Sequence, residues 1–119
     1  MSYKKRSFYV AYNDCEGEFS LSREALEWLA DRGVIKAHEI LNEIEDEHGN
    51  VHIDETMLNM KRHNSLLILC IENIGSLKAS GIGAMIRIRP ISSNRYMLKN
   101  MGGIETVLTP DDIIWVEVE

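Results

Sequence analysis

Two helix starts carry most of the side chains in this sequence that could do chemistry. The first ends the run Asn13, Asp14, Cys15, Glu16, Gly17, Glu18, Phe19, Ser20, Leu21, Ser22. The second follows Lys61, Arg62, His63 and Asn64. A helix start presents unpaired backbone N–H groups and the positive end of a dipole, so both places suit an anion. Asn13, Cys15, Gly17, Phe19, Ser20 and Ser22 are the ligand candidates of the first loop. There Gly17 permits close backbone approach, while Glu16 and Glu18 would repel a phosphate. The bland rival is a well-capped connection with Gly17 in a turn. In the second, Arg62 can hold a carboxylate or phosphate with two parallel hydrogen bonds. His63 can donate or accept near neutral pH. Here the bland rival is Asn64 as a simple cap, with Arg62 solvated and His63 in a polar turn. Arg87, Arg89 and Tyr96 join the candidates if the strands bearing them open beside these two starts.

Reactive chemistry has weaker support. Cys15 and His63 would suit a nucleophile and its base, but no spacing joins them and no third, orienting group can be named. His48 and His52 have metal-ligand spacing only on a helix, and Gly49 with Asn50 argues against one. Gly81 and Gly83 precede a strand rather than a helix, so the dinucleotide fingerprint fails. No catalytic residue, metal or cofactor is therefore expected, and binding is favoured over catalysis. A small hydrolase using Cys15 or His63 is the least favoured class.

The elements that would position these groups follow from pattern. Residues 8–12 are aromatic and β-branched and read as a strand. Ser22 fits an N-cap, with Leu21 and Leu26 at the spacing of a hydrophobic staple and Gly33 as the stop. Val34, Ala37, Leu41 and Ile44 recur at helical spacing and predict a second helix over 34–46; the rival is a strand turning at 47–50 into 51–53. Residues 54–61 read as a polar connection. Asn64 caps a helix over 65–74 that Gly75 ends. That helix is apolar nearly all round and should be the central, many-sided core helix. Residues 84–89 alternate as a strand that Pro90 ends or places at an edge. Residues 95–98, 105–108 and 113–118 complete the strands, with turns at Gly102 and Gly103 and at 109–112. The expectation is a single α+β domain of two or three helices packed on a mostly antiparallel β-sheet.

Composition narrows the classes. The chain has 119 residues, enough for one core, and a formal charge of −6 that argues against general nucleic-acid binding. The basic cluster Lys4, Lys5 and Arg6 is short and reads as a solvated end. Cys15 and Cys70 are far apart with no polar-to-apolar leader before them, so free thiols and a cytoplasmic location are expected. The longest apolar run, residues 66–71, is far too short to span a membrane.

Three blocks together form a pattern. The loop Asn13, Asp14, Cys15 to Gly17 leads into Phe19, Ser20, Leu21, Ser22. Arg62, His63, Asn64, Ser65, Leu66, Leu67 leads to Glu72 and Gly75, then Ala79, Ser80, Gly81. Tyr96 precedes Gly103, Ile104, Glu105, Thr106, Val107 and the ending Thr109, Pro110, Asp111, Asp112, Ile113. This resembles a family of small uncharacterised bacteriophage and prophage proteins, with Asn64 and Ser65 standing where that family has an Asp-Pro pair. The resemblance implies origin and architecture. By analogy with a phage setting it implies a non-enzymatic binder of an anionic, nucleotide-like small molecule, sequestering a host signalling nucleotide to counter defence. The alternative is an acidic protein that docks on a host protein. An exposed edge strand within 95–107 would allow a homo-oligomer. On this reading Arg62→Ala loses binding with its fold intact.

Overall fold

The computed structural model of the chain describes residues 8–44, 58, 60–112 and 116–118. The strand-forming residues near the start make β1 (Phe8–Asn13), which pairs antiparallel with β2 (Ile86–Ile91) so that Val10 faces Arg89 and Asn13 faces Ile86. Successive side chains of a strand point to opposite faces. Ala11 and Ile86 enter one buried cluster, whereas Val10 and Ile91 enter another. The ribbon is thus buried on both faces, and its β-branched and small residues suit that position.

The Ala11 face is covered by helices. α1 (Arg23–Asp31) starts at Ser22, whose hydroxyl accepts from the Ala25 amide, and it buries Ala25, Leu26 and Leu29. Leu21 and Leu26, the staple pair, are both in that core. Gly33 follows the helix with φ +89°, a left-handed conformation that favours glycine and stops the helix. α2 (Ile35–Ile44) packs Ala37 and Ile40 into the same cluster. α3 (Ser65–Ile74) is capped by Asn64, whose side-chain oxygen accepts from Leu66 and Leu67, and it buries Leu67, Ile68, Cys70 and Ile71. One short turn, α4 (Ser76–Ala79), returns the chain to Ser80, which bridges to Leu21.

The Val10 face is covered by a second ribbon. β3 (Met97–Met101) and β4 (Ile104–Leu108) pair antiparallel across Gly102 and Gly103, which hold φ +64° and +98°. Two left-handed residues form the turn whose twist matches a two-residue hairpin. Val107 and Leu98 pack with Val10, Ile91, Tyr12 and Tyr96. The result is an α+β domain in layers: helices, ribbon β1–β2, ribbon β3–β4.

Several expectations change. The sheet consists of two antiparallel two-stranded ribbons. β2 runs through Pro90 to Ile91. Ala11 and Asn13 donate their amides away from β2, so the pairs containing them, and by alternation Tyr9 with Pro90, are the non-bonded pairs of the ladder. Pro90 therefore removes no bond to β1, because its nitrogen lies on the outer edge. α3 buries Leu67, Ile68, Cys70 and Ile71 and leaves Leu69 46% exposed, so its apolar run still has one open side. β3 begins two residues later than expected. Residues 116–118 carry no strand pairing, while 113–115 lie outside the described residues. Also outside are the basic cluster at 4–6, the 47–53 hairpin alternative with His48 and His52, and most of the connection at 54–59; Leu58 is buried. No helix among the described residues is long and apolar enough to cross a membrane.

Candidate ligand site

Arg62 lies at the turn before α3, where its carbonyl accepts the Ala11 amide at 2.8 Å and so fixes it against the free edge of β1. Its guanidinium reaches inward. Nη1 and Nη2 donate to Oε1 and Oε2 of Glu105 at 2.6 and 2.9 Å, and both side chains are 6% exposed. The guanidinium carbon also lies 3.7 Å from the centre of the Phe19 ring. Glu105 Oε1 further accepts the Asn13 amide at 2.8 Å. One buried, doubly bonded ion pair thus ties the α3 start, β1 and β4 together. Such a pair needs these extra partners, because desolvating two charges costs about as much as their attraction returns.

Asn13 is fully buried and acts as a second tie. Its Nδ2 donates to the carbonyls of Cys15 (3.0 Å), Gly17 (3.5 Å) and Gly103 (2.9 Å), while Oδ1 accepts the Met85 amide at 2.8 Å. Three loops meet around it. A Cβ on Gly17 would stand 2.5 Å from Gly83 O, and one on Gly103 would fall on Gly17 O. Close backbone approach is thus the reason for glycine here, in both cases between loops of the chain itself. Cys15 turns its thiol to Gly83 O (3.3 Å) and Asn13 Oδ1 (3.5 Å). Ser20 is buried beside Gly81, whose amide donates to Ser20 O, and its hydroxyl has no hydrogen-bond partner among the described residues. Ser22 caps α1 and donates to Lys78 O. The arginines of β2 point elsewhere. Arg87 pairs with Asp14 at 2.7 Å on the surface; Arg89 donates to Val107 O and reaches Asp112 at 3.4 Å. Asp112 also accepts the Thr109 amide and hydroxyl, and the amide bond is the main cause that holds its carboxyl below the usual range.

His63 and Tyr96 come together at the surface. His63 Nδ1 lies 2.8 Å from Tyr96 Oη, with the two rings edge-to-face at 5.6 Å. They line a groove of about 140 Å³ with Phe8, Ile91, Ser93 and Asn94. β1 supplies Phe8, the end of β2 supplies Ile91, the turn before α3 supplies His63, and the 92–96 loop supplies Ser93, Asn94 and Tyr96. Ile91 is buried and forms an apolar floor; Asn94 and His63 are exposed at the lip. The groove therefore offers an imidazole, a phenol, an alcohol and an amide above an aromatic and aliphatic base.

Of the twelve sequence candidates, then, the structure brings only His63 and Tyr96 to this groove. Asn64 caps α3 one residue away. Asn13, Cys15, Gly17, Phe19 and Arg62 form one internal junction, Ser20 is buried beside Gly81, and Ser22, Arg87 and Arg89 have contacts of their own. Phe8, Ile91, Ser93 and Asn94 escaped sequence reasoning; the turn-forming run Ser92, Ser93, Asn94 between two strands was the available signal. Cys15 and His63 share no hydrogen bond among the described residues. Cys70 is buried beneath α1, and burial pushes its thiol up to about 11, away from nucleophilic use. No cluster of three or more His, Cys, Asp or Glu among the described residues could hold a metal ion. Compared with models of protein families, curated proteins and solved structures, the chain matches none of them.

Proposed function

We propose that this chain is a non-enzymatic binding protein whose ligand place is the groove between Phe8, His63, Ile91, Ser93, Asn94 and Tyr96. The observation that carries this reading is the contrast between two regions. Polar groups around Asn13 and Arg62 bond one another inside the fold, whereas those of the groove, the bonded His63–Tyr96 pair, Ser93 with its Oγ accepting the Arg95 amide, and Asn94, lie at the surface over an apolar floor. A mostly apolar concavity with a few convergent polar groups is the default ligand site of a small domain. The finer reading, sequestration of a nucleotide-like signal by a phage-type protein, rests on the motif resemblance. A thermal-shift screen against nucleosides and nucleotides tests the binding claim. Ligand at about 100 times its Kd should stabilise the fold by about 2.7 kcal/mol. The wild-type chain should show the shift and His63→Ala should lose it; no shift with any nucleoside or nucleotide would contradict the reading.

A second reading, docking on another protein, has one observation in its favour. Met97, Met101 and Ile104 share the outer face of β3–β4 and are 59%, 65% and 39% exposed. Exposed apolar side chains in one patch mark interaction surfaces. Charge substitution at Met101 separates the readings, since it should abolish protein docking and leave groove binding unchanged.

A further inference from the structure

We infer that the groove recognises a planar, uncharged heteroaromatic ring, and that a phosphate carried by the same ligand lies outside it at the rim. The inference rests on the groove being the ligand site. Its volume of about 140 Å³ is below the ~300–1,000 Å³ usual for whole small-molecule sites, so it accommodates a ring system and not an entire nucleotide. Among the described residues, no Lys, Arg, Asp or Glu lines it. A phosphate enclosed there would have only the His63 imidazole to meet its charge, with no guanidinium or ammonium among the described lining residues. A neutral ring has no such cost, and Phe8 and Tyr96 provide aromatic surface on which nucleobase-type rings stack. Asn94 offers both a donor and an acceptor, and Ser93 a hydroxyl, which suits the amide-like edge of a heterocycle. The cations adjacent in sequence to lining residues are Arg95, between Asn94 and Tyr96, and Lys61, two positions before His63, and both are exposed.

The test is a titration of the ¹⁵N-labelled full chain, followed by amide correlation spectra, with three probes: free nucleosides, their 5′-monophosphates, and ribose 5-phosphate. Nucleosides should shift the amides of Phe8, Ile91, Ser93, Asn94 and Tyr96. Asn94→Ala should weaken nucleoside binding about five-fold, the usual size of one neutral hydrogen bond. Arg95→Ala should weaken the monophosphates and leave the nucleosides unchanged. Groove shifts with ribose 5-phosphate but none with nucleosides would overturn ring recognition and leave the ligand site standing. No groove shift with any probe would overturn both.

Discussion

Breaking the Arg62–Glu105 pair leaves one charge buried with no counterpart, so Arg62→Ala and Glu105→Gln should each lower the unfolding free energy by about 3–5 kcal/mol. Urea denaturation measures this. Arg87→Ala is the control: its pair with Asp14 is half exposed, and its loss should cost at most about 1 kcal/mol. Arg62→Ala therefore tests stability, and His63→Ala, at an exposed residue, is the sounder probe of binding. The two thiols should separate as clearly. Both are free, and in the folded protein a thiol reagent should modify Cys15 quickly and Cys70 only on unfolding. Burial raises the Cys70 value from 9.0 to about 11, and burial disfavours the thiolate only in the folded state. Its contribution to stability is thus complete below pH 9 and declines as pH rises toward 11. Denaturation midpoints of Cys70→Ala and the wild type across that window show whether the decline belongs to this thiol. Asp112 has the opposite sign: its bonds with Thr109 favour the carboxylate, so the 109–112 turn should loosen on acidification through the folded-state value.

At the scale of elements, local signals carried far. The Ser22 cap, the Leu21 and Leu26 staple, the stop at Gly33 and the Asn64 cap each depend on a few neighbouring residues, and each stands in the fold. Ser22→Ala should cost about 1 kcal/mol, at the upper end because its hydroxyl also holds Lys78 O. The division of the strands into two ribbons was not legible in the same way. It depends on Val10 and Ala11 facing different partners far along the chain, and alternation alone does not say what covers a face. Gly102 and Gly103 illustrate the difference. Their turn was readable, but only the fold reveals that Gly103 abuts Gly17. Both residues have positive φ, yet a Cβ on Gly102 meets nothing within 4 Å. Gly103→Ala should therefore destabilise well beyond the ~1–2 kcal/mol of left-handed strain expected for Gly102→Ala, as paired thermal melts would show.

Across the whole molecule, the layers explain why the polar motifs divide between scaffold and surface. The ribbon β1–β2 is enclosed by helices and by β3–β4, so polar groups reaching its edge, such as Arg62, Glu105 and Asn13, must satisfy one another. Sequence reasoning singled out Asn13 and Arg62 but not Glu105, and could not distinguish a ligand partner from an internal one, because the partner of Arg62 lies 43 positions away. It found half of the groove's polar pair at each of two separate motifs, His63 and Tyr96, and missed the apolar floor for want of any chemical mark. The central claim is that His63 serves binding while Glu105 serves folding. Native mass spectrometry tests it most directly, with wild type, His63→Ala and Glu105→Gln incubated side by side in a nucleotide-rich extract. Adducts and charge-state distributions are then read from the same spectra. The prediction is a stoichiometric small-molecule adduct on the wild type, a compact but adduct-free His63→Ala, and, for Glu105→Gln, unfolded charge states that appear at a lower solution temperature than in the wild type. An adduct that survives in His63→Ala, or none on the wild type, would contradict it.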